Sequence, residues 1–252
     1  MASSPIRHSF AAPDGVELAW HELGEGRPAV LLHGLFSNAP TNWIRYGHAA
    51  EIAGRGVRLI MPDLRAHGTS GAPHDPACYP PDILAADGLA LIAHLGLKDY
   101  DLGGYSLGAR TAVRMVVGGA APRRLVISGM GLVGLTDTGA RSAHFKAILE
   151  NLGGHERGSP EWLAEAFLKT TGGDPEALLP LLDSFVDTPE EALGTIAIPT
   201  LVLSGVDDHD NGSAEALAAL LPRGEYAGVP GNHMSAVMKP ELGRALGDFL
   251  AR

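Results

Sequence analysis

The sequence has little cysteine and a deficit of positive charge. Its 252 residues include one cysteine, Cys78, which excludes an internal disulfide framework and any zinc site that needs two or more cysteines. Lysine and arginine number 19 against 29 aspartates and glutamates, which gives a formal charge of −10. Nucleic acid phosphates and anionic membrane surfaces both attract basic proteins. We therefore expect neither nucleic acid nor a membrane as a partner.

Long apolar runs are also missing. No segment approaches the roughly 20 apolar residues of a membrane helix, and residues 1–10 lack the apolar core of a signal peptide. A single free cysteine fits a reducing compartment, so we expect a cytoplasmic protein. The 45% hydrophobic and 19% charged fractions are ordinary for a globular domain. Nothing in the sequence indicates an oligomeric state.

Short apolar runs alternate with helical patterns along most of the chain. A hairpin is predicted over residues 6–21, around a turn that contains Pro13 and Asp14-Gly15. Runs rich in Leu, Val and Ile are typical of strands buried on both faces of a parallel sheet. These predicted strands are residues 29–32, 57–61, 100–102, 125–128, 200–204 and 225–229, and the predicted helices are residues 42–53, 81–95, 107–117 and 240–251. The alternation predicts an α/β fold with a central, mostly parallel sheet flanked by helices.

Residues 132–195 break this alternation. Three helix-like segments, residues 139–152, 160–171 and 175–186, follow one another with glycine pairs between them and no strand-like run. Three successive helices have no parallel strand to cross between, so we interpret residues 132–195 as a helical insertion into a core of residues 1–131 and 196–252. The alternative is that they are further crossover helices of the main fold.

The most informative segment is Gly104-Tyr105-Ser106-Leu107-Gly108, a G-x-S-x-G pattern. An apolar strand precedes it and a helix-forming run follows, as expected for a sharp strand-to-helix turn that exposes the serine above the sheet. The small residues on either side remove side chains that would clash there. We predict that Ser106 is a nucleophile; the alternative is a glycine-rich turn with an incidental serine.

A serine nucleophile needs a base and an orienting acid. His233 follows the last predicted strand, and Asp207 and Asp208 follow the strand before it. Functional groups in α/β sheets lie at the carboxyl ends of the strands, and the chain order Ser, Asp, His is one of the known orders for a triad. The residues alone do not choose between Asp207 and Asp208, and a solvated acidic loop or a weak metal site is the alternative.

The loop after the strand at residues 29–32 is the candidate for the oxyanion hole. Acyl transfer needs two N–H donors aimed at the developing oxyanion. One is expected from Leu107, directly after the nucleophile, and the other from Leu35 or Phe36. Gly34 allows close approach of the backbone. We interpret His33 as structural, with a role as the base as the alternative.

The chain resembles the α/β-hydrolase family, and the resemblance covers nearly its whole length. The motifs that carry it are His33-Gly34-Leu35, the D-L-R-A-H-G-T-S segment at residues 63–70, residues 104–108, residues 205–208 and residues 231–233. The second motif departs from the family at Ala66, where glycine is usual, but that loop is structural. The resemblance implies Asp208 as the acid, and a cap at residues 132–195 that lies over the nucleophile and suits a small to medium substrate.

The resemblance also narrows the activity. Haloalkane dehalogenases and epoxide hydrolases carry aspartate at the nucleophile position, which here is Ser106. We therefore expect a carboxylesterase-like serine hydrolase that acts on an ester or related acyl bond of a small molecule, without metal or organic cofactor. Residues 104–110 are also similar to G-Y-S-M-G-G-R of the menaquinone-pathway synthase, a lyase that uses the same triad as a base. A lyase and a non-catalytic small-molecule receptor on the same fold are the alternatives.

The sequence identifies the residues of the substrate pocket less clearly. Apolar residues at strand ends, beside the nucleophile or in the insertion are its candidate lining: Leu35, Phe36, Tyr105, Leu107, Met130, Leu132, Phe145, Phe167 and Met234. Each of these would serve equally well in an ordinary core. Arg110, Arg141 and Arg157 are interpreted either as ligands of a multi-carboxylate substrate or as solvated surface charges.

Overall fold

The apolar runs pair into one sheet. A computed structural model of the chain describes residues 4–252, so the first three residues of the expected core lie outside the described residues. The strands within that range are β1 Ile6–Ala11, β2 Glu17–Leu23, β3 Arg27–Leu32, β4 Val57–Pro62, β5 Asp101–Tyr105, β6 Leu125–Ser128, β7 Thr200–Gly205 and β8 Gly224–Val229. The central strands β5, β6 and β7 are buried at every residue.

Helices connect the strands and cover both faces of the sheet. Across residues 4–252 they are α1 His48–Ala53, α2 Ile83–His94, α3 Leu107–Val117, α4 Leu132–Thr136, α5 Gly139–Glu150, α6 Pro160–Thr171, α7 Pro175–Asp183, α8 Glu190–Leu193, α9 Ala214–Leu220, α10 His233–Ala236 and α11 Pro240–Leu250. A π-helical turn, Pro40–Ile44, and a 3-10 turn, Pro76–Cys78, complete the list. None of the helices in this part of the chain has the length and apolar character needed to cross a bilayer.

The strand order confirms the predicted fold class. In the described chain the order is β1-β2-β4-β3-β5-β6-β7-β8. The predicted hairpin pairs β1 with β2, β2 is antiparallel to β4, and the remaining pairs from β4 to β8 are parallel. The carboxyl ends of β5, β7 and β8 therefore lie at one edge of the sheet, where ligands bind in folds of this type.

Several helices differ from the sequence prediction: the first predicted helix is divided in two, and the short α4, α8, α9 and α10 were not predicted. The predicted helix over residues 42–53 is divided into the π-helical turn and α1, because Gly47 between them has a φ of +83° that a continuing helix does not tolerate. Helix α9 was not predicted, although it supplies the crossover between β7 and β8. It is only seven residues long, too short for a periodic signal, and the side chain of Ser213 caps it by accepting from the Ala216 amide.

Between β6 and β7 the chain forms α4 to α8, which we call the helical segment. The three predicted helices lie there as α5, α6 and α7, and the short α4 and α8 add to them. Several hydrogen bonds connect the helical segment to the sheet domain. Among them, Thr171 Oγ1 donates to the Phe36 carbonyl at 2.6 Å, and the Asp82 amide donates to the Ser184 carbonyl at 2.8 Å. The segment is thereby attached to loops at the carboxyl edge of the sheet.

Candidate active site

Ser106 lies at a strained corner between β5 and α3. Its backbone has φ 54° and ψ −115°, a region that non-glycine residues seldom adopt. The corner needs glycine on both sides, since a Cβ at Gly104 would overlap the backbone of Gly108, and a Cβ at Gly108 would overlap the Leu32 carbonyl. These contacts explain the G-x-S-x-G spacing and keep the serine hydroxyl above the sheet edge.

Three predicted side chains meet at this corner. His233 Nε2 lies 3.0 Å from Ser106 Oγ, and His233 Nδ1 lies 2.9 Å from Asp208 Oδ2. Burial opposes ionisation of Asp208, but the hydrogen bond and charge of His233 outweigh it and hold the pKa of the Asp208 carboxyl below its ordinary value. Asp207 is exposed and makes no contact with His233 in the described chain. The geometry therefore selects Asp208.

The amides beside Ser106 differ in their availability. Leu107 is the first residue of α3, so its N–H has no intrahelical acceptor. Within residues 4–252 the Leu35 amide has no acceptor either, whereas the Phe36 amide donates to His67 Nε2 at 3.3 Å. Of the two predicted loop donors, Leu35 is thus the free one. Phe36 is engaged because of a partner 31 residues away that the loop sequence does not reveal.

His33 and His67 form a buried pair behind this loop. His33 Nε2 accepts from the Leu64 amide at 2.9 Å, and its Nδ1 lies 2.8 Å from the Gly34 carbonyl. His67 Nδ1 lies 2.9 Å from the Arg65 carbonyl. Burial lowers the pKa of His33 and lowers that of His67 to about 3, so both rings are neutral. With both nitrogens of His33 engaged, its position supports the structural interpretation.

A cavity of about 200 Å³ opens on one side of Ser106. Four predicted pocket residues, Leu35, Tyr105, Phe167 and Met234, line it, and Met234 is 52% exposed. The remaining lining residues are Gly34, Ser37, Thr41, Asn42, Tyr46, Ser106, His233, Val237 and Met238. The Tyr105 hydroxyl donates to the His233 carbonyl at 2.6 Å, which connects the nucleophile turn to the loop that carries the base.

A second, narrower cavity of about 30 Å³ lies on the other side of Ser106. Leu35, Leu107, Met130 and Phe145 line it, as predicted, together with Arg110, Gly134, Thr138, Arg141, Phe185 and Asn211. Phe36 and Leu132, which were also predicted to line the pocket, line neither cavity. Leu132 begins α4, and its amide donates to the Ser213 carbonyl at 3.1 Å. The predicted pocket thus divides into two cavities that share the nucleophile.

Several lining residues were not predicted. Asn42 is buried, accepts from the Gly34 amide at 3.0 Å and leaves its Nδ2 without a partner among the described residues. Tyr46 lies after the π-helical turn, and Val237 and Met238 follow α10. The short helix α10 could have been found from Asn232 and Ser235, whose reciprocal hydrogen bonds cap it. No local signal identifies Asn42 or Tyr46.

One group of side chains has the composition of a metal site. Asp208, Asp210 and His233 each place a ligand atom within 4.8 Å of the others. Asp208 Oδ2 and His233 Nδ1 already share the hydrogen bond of 2.9 Å, and Asp210 lies 3.4 Å from Arg141. A metal ion there would have to replace the contact that orients the base, so the donor set fits a triad better than a metal site.

The strand order, the strained serine and its two partners define a nucleophile elbow on a mostly parallel sheet. The chain belongs to the α/β-hydrolase family, whose model matches residues 29–242. An esterase from Exiguobacterium antarcticum superposes on this chain with a TM-score of 0.76 and covers 97% of it and 99% of the esterase, at 21% identity. At that identity the likeness demonstrates the fold alone.

Known relatives align over part of the chain. A non-heme haloperoxidase from Rhodococcus erythropolis is 36% identical over 115 residues, which are 44% of this chain and 39% of that protein. An N-formylmaleamate deformylase from Pseudomonas putida is 38% identical over 105 residues, 41% of this chain and 37% of that protein. The chain therefore spans about two fifths of the length of these relatives.

Proposed function

We propose that the protein is a serine hydrolase that cleaves a carboxylic ester or a related acyl bond of a small to medium substrate. The observation that carries the proposal is the continuous hydrogen-bonded path from Ser106 Oγ through His233 to Asp208, at 3.0 and 2.9 Å. The deformylase that aligns with part of the chain is further support.

The path assigns a direction of proton transfer. The Asp208 carboxylate accepts from His233 Nδ1–H, which leaves Nε2 free to accept the Ser106 proton as Oγ attacks the substrate carbonyl. The protonated imidazole then donates this proton to the leaving alcohol, and an ester forms between Ser106 and the acyl group. A water molecule that loses its proton to His233 Nε2 attacks this ester and releases the acid, which restores the Ser106 hydroxyl.

The oxyanion is held by two backbone amides. We assign Leu107 and Leu35 to this role, because both amides are free while that of Phe36 is engaged by His67. Each such donor contributes roughly 3–4 kcal/mol to the stabilisation of the transition state. The Gly34 amide is also engaged, with Asn42, so among the described residues 34–36 only the Leu35 amide is free.

The proposal is tested with an activated aryl ester and a fluorophosphonate. We expect a burst of one equivalent of phenol, covalent labelling at Ser106, and loss of both in the Ser106→Ala variant. Ser9→Ala is the matched control, since Ser9 lies in β1 at the far edge of the sheet and contacts Glu17. Esterase activity that survives in Ser106→Ala would refute the proposal.

The same measurements separate the two alternative functions. A receptor that has retained the triad would show labelling of Ser106 with negligible turnover of any ester. A lyase would eliminate from its own substrate and cleave esters poorly. A panel of esters, lactones and a vinylogous diketone, assayed with purified protein, distinguishes these outcomes by which bond is broken.

A further inference from the structure

Arg110 is a buried cation without a counter-ion. It lies in α3, one helical turn after Ser106, and is 8% exposed. Within residues 4–252 its guanidinium makes no hydrogen bond or ion pair and instead stacks on Phe185, 3.7 Å from the ring centroid. Buried arginines are nearly always paired, so we expect a bound ligand to pair with this guanidinium.

The neighbouring carboxylates are engaged elsewhere. Asp82 accepts from Arg114 Nε at 3.0 Å, and Asp187 accepts from the Thr138 amide at 2.8 Å. Arg141, on the same cavity, adds a second positive charge whose only ion pair among the described residues is with Asp210 at 3.4 Å. Burial lowers the pKa of Arg110 to about 10, which still leaves it fully protonated near neutral pH.

The narrow cavity connects this cation to the nucleophile. Ser106, Leu107 and Arg110 all line it, and its volume of about 30 Å³ suits a small group. Leu35 and Leu107, whose amides are assigned above to the oxyanion, are also among its lining residues, so we place the carbonyl side of the reacting bond next to it. A guanidinium can hold a carboxylate through two parallel N–H donors.

We propose that Arg110 binds a carboxylate on the acyl group of the substrate, so that the preferred substrates are half-esters of short dicarboxylic acids. This inference rests on the proposed hydrolase function and adds the substrate class. The leaving alcohol must lie where His233 can protonate it, and His233 lines the larger cavity with Tyr105, Phe167 and Met234. The alcohol is therefore apolar, and the acid is short and anionic.

The test compares two benzyl esters of equal shape. Monobenzyl glutarate carries a free carboxylate, and benzyl 4-carbamoylbutanoate carries a neutral amide in its place. We expect kcat/KM of the wild-type protein to be roughly 10- to 100-fold higher for the anion, the range for a charged hydrogen bond in a buried site. In Arg110→Met the ratio of the two kcat/KM values should fall to about one.

Arg157→Met is the matched control, since it removes an exposed arginine of the helical segment and should leave the ratio unchanged. If Arg110→Met does not fold, the wild-type protein decides the matter: glutarate should inhibit cleavage of the neutral ester competitively, and its diamide should not. Equal cleavage of both esters by the wild type overturns the inference while the proposed hydrolase function stands. Failure to cleave either ester, with no labelling of Ser106, refutes the function and the inference with it.

Discussion

At the scale of single residues, the Asp208–His233 hydrogen bond determines which imidazole nitrogen carries the proton. Asp208 Oδ2 can only accept, so the proton resides on Nδ1 and Nε2 faces Ser106 in its basic form. An asparagine at position 208 could present an N–H to Nδ1 and reverse this tautomer. In the proposed mechanism the carboxylate also stabilises the imidazolium that forms during attack.

We expect Asp208→Asn to lower kcat by roughly 10²- to 10⁴-fold with little change in KM, because the loss occurs in the transition state. Asp207→Asn removes the same charge one residue earlier, from an exposed side chain, and should stay within about twofold of the wild type. Steady-state kinetics on an aryl ester provide the measurement. Equal losses in the two variants would show that charge in the loop, and not the contact with His233, is what matters.

Residues whose role depends on their immediate neighbours were predictable from the sequence. Ser106 stands between glycines that the turn requires, and His233 and the pair Asp207-Asp208 lie in loops that follow strands. The choice of Asp208 over Asp207 came only from the family resemblance. Which of the Leu35 and Phe36 amides remains free was not predictable. It depends on His67, which reaches the loop only when β3 and β4 pair. The sequence left Arg110 open as either a substrate ligand or a surface charge, because a sequence does not show whether a side chain has a partner in the folded protein.

At the scale of elements, α6 of the helical segment is attached to the loop that carries Leu35 and Phe36, the proposed oxyanion loop. The single hydroxyl proton of Thr171 has three carbonyls in range, and the shortest distance, 2.6 Å, is to Phe36, against 3.0 Å to Leu168 and 3.1 Å to Phe167. This contact holds the carbonyl of Phe36, the residue after Leu35. We infer that the segment, which contributes Phe167 and Phe145 to the two cavities, also positions this loop.

Thr171→Val keeps the shape of the side chain but removes the donor. We expect kcat to fall by about three- to tenfold, in line with one hydrogen bond of about 1 kcal/mol, with folding intact. Thr171→Ser retains the hydroxyl and should recover most of the activity. A loss in both variants alike, or in neither, would contradict a positioning role for the hydroxyl; kinetics together with thermal unfolding distinguish this from simple destabilisation.

Element boundaries were less predictable than element types. The strands and the longer helices follow from their apolar runs, whereas α4, α8, α9 and α10 are too short to establish a period. Gly47 ends one helical turn and starts α1 in a left-handed conformation that the helix-like composition of residues 42–53 does not reveal.

At the scale of the whole molecule, two neutral histidines are built into the interior beside the site. His67 has a pKa of about 3 in the folded chain, against an ordinary value of 6.5, because burial disfavours its charged form. Between these values the unfolded chain binds a proton that the folded chain does not. The free energy of unfolding therefore has its full value above pH 6.5 and decreases as the pH falls toward 3.

We expect this histidine to reduce the stability of the protein by about 2 kcal/mol between pH 7.5 and pH 5.0, since each unit below the unfolded pKa contributes about 1.4 kcal/mol. His67→Gln can still accept from the Phe36 amide but does not titrate, so its urea midpoint should change less over the same interval than that of the wild type. His209→Gln, which replaces an exposed histidine, should follow the wild-type pH dependence.

Because the pKa of His33 is lowered as well, some loss of stability at low pH persists in His67→Gln. Parallel curves for His67→Gln and the wild type would show that His67 is protonated in the folded protein at pH 5. The interpretation of His33 and His67 as a neutral pair would then be wrong.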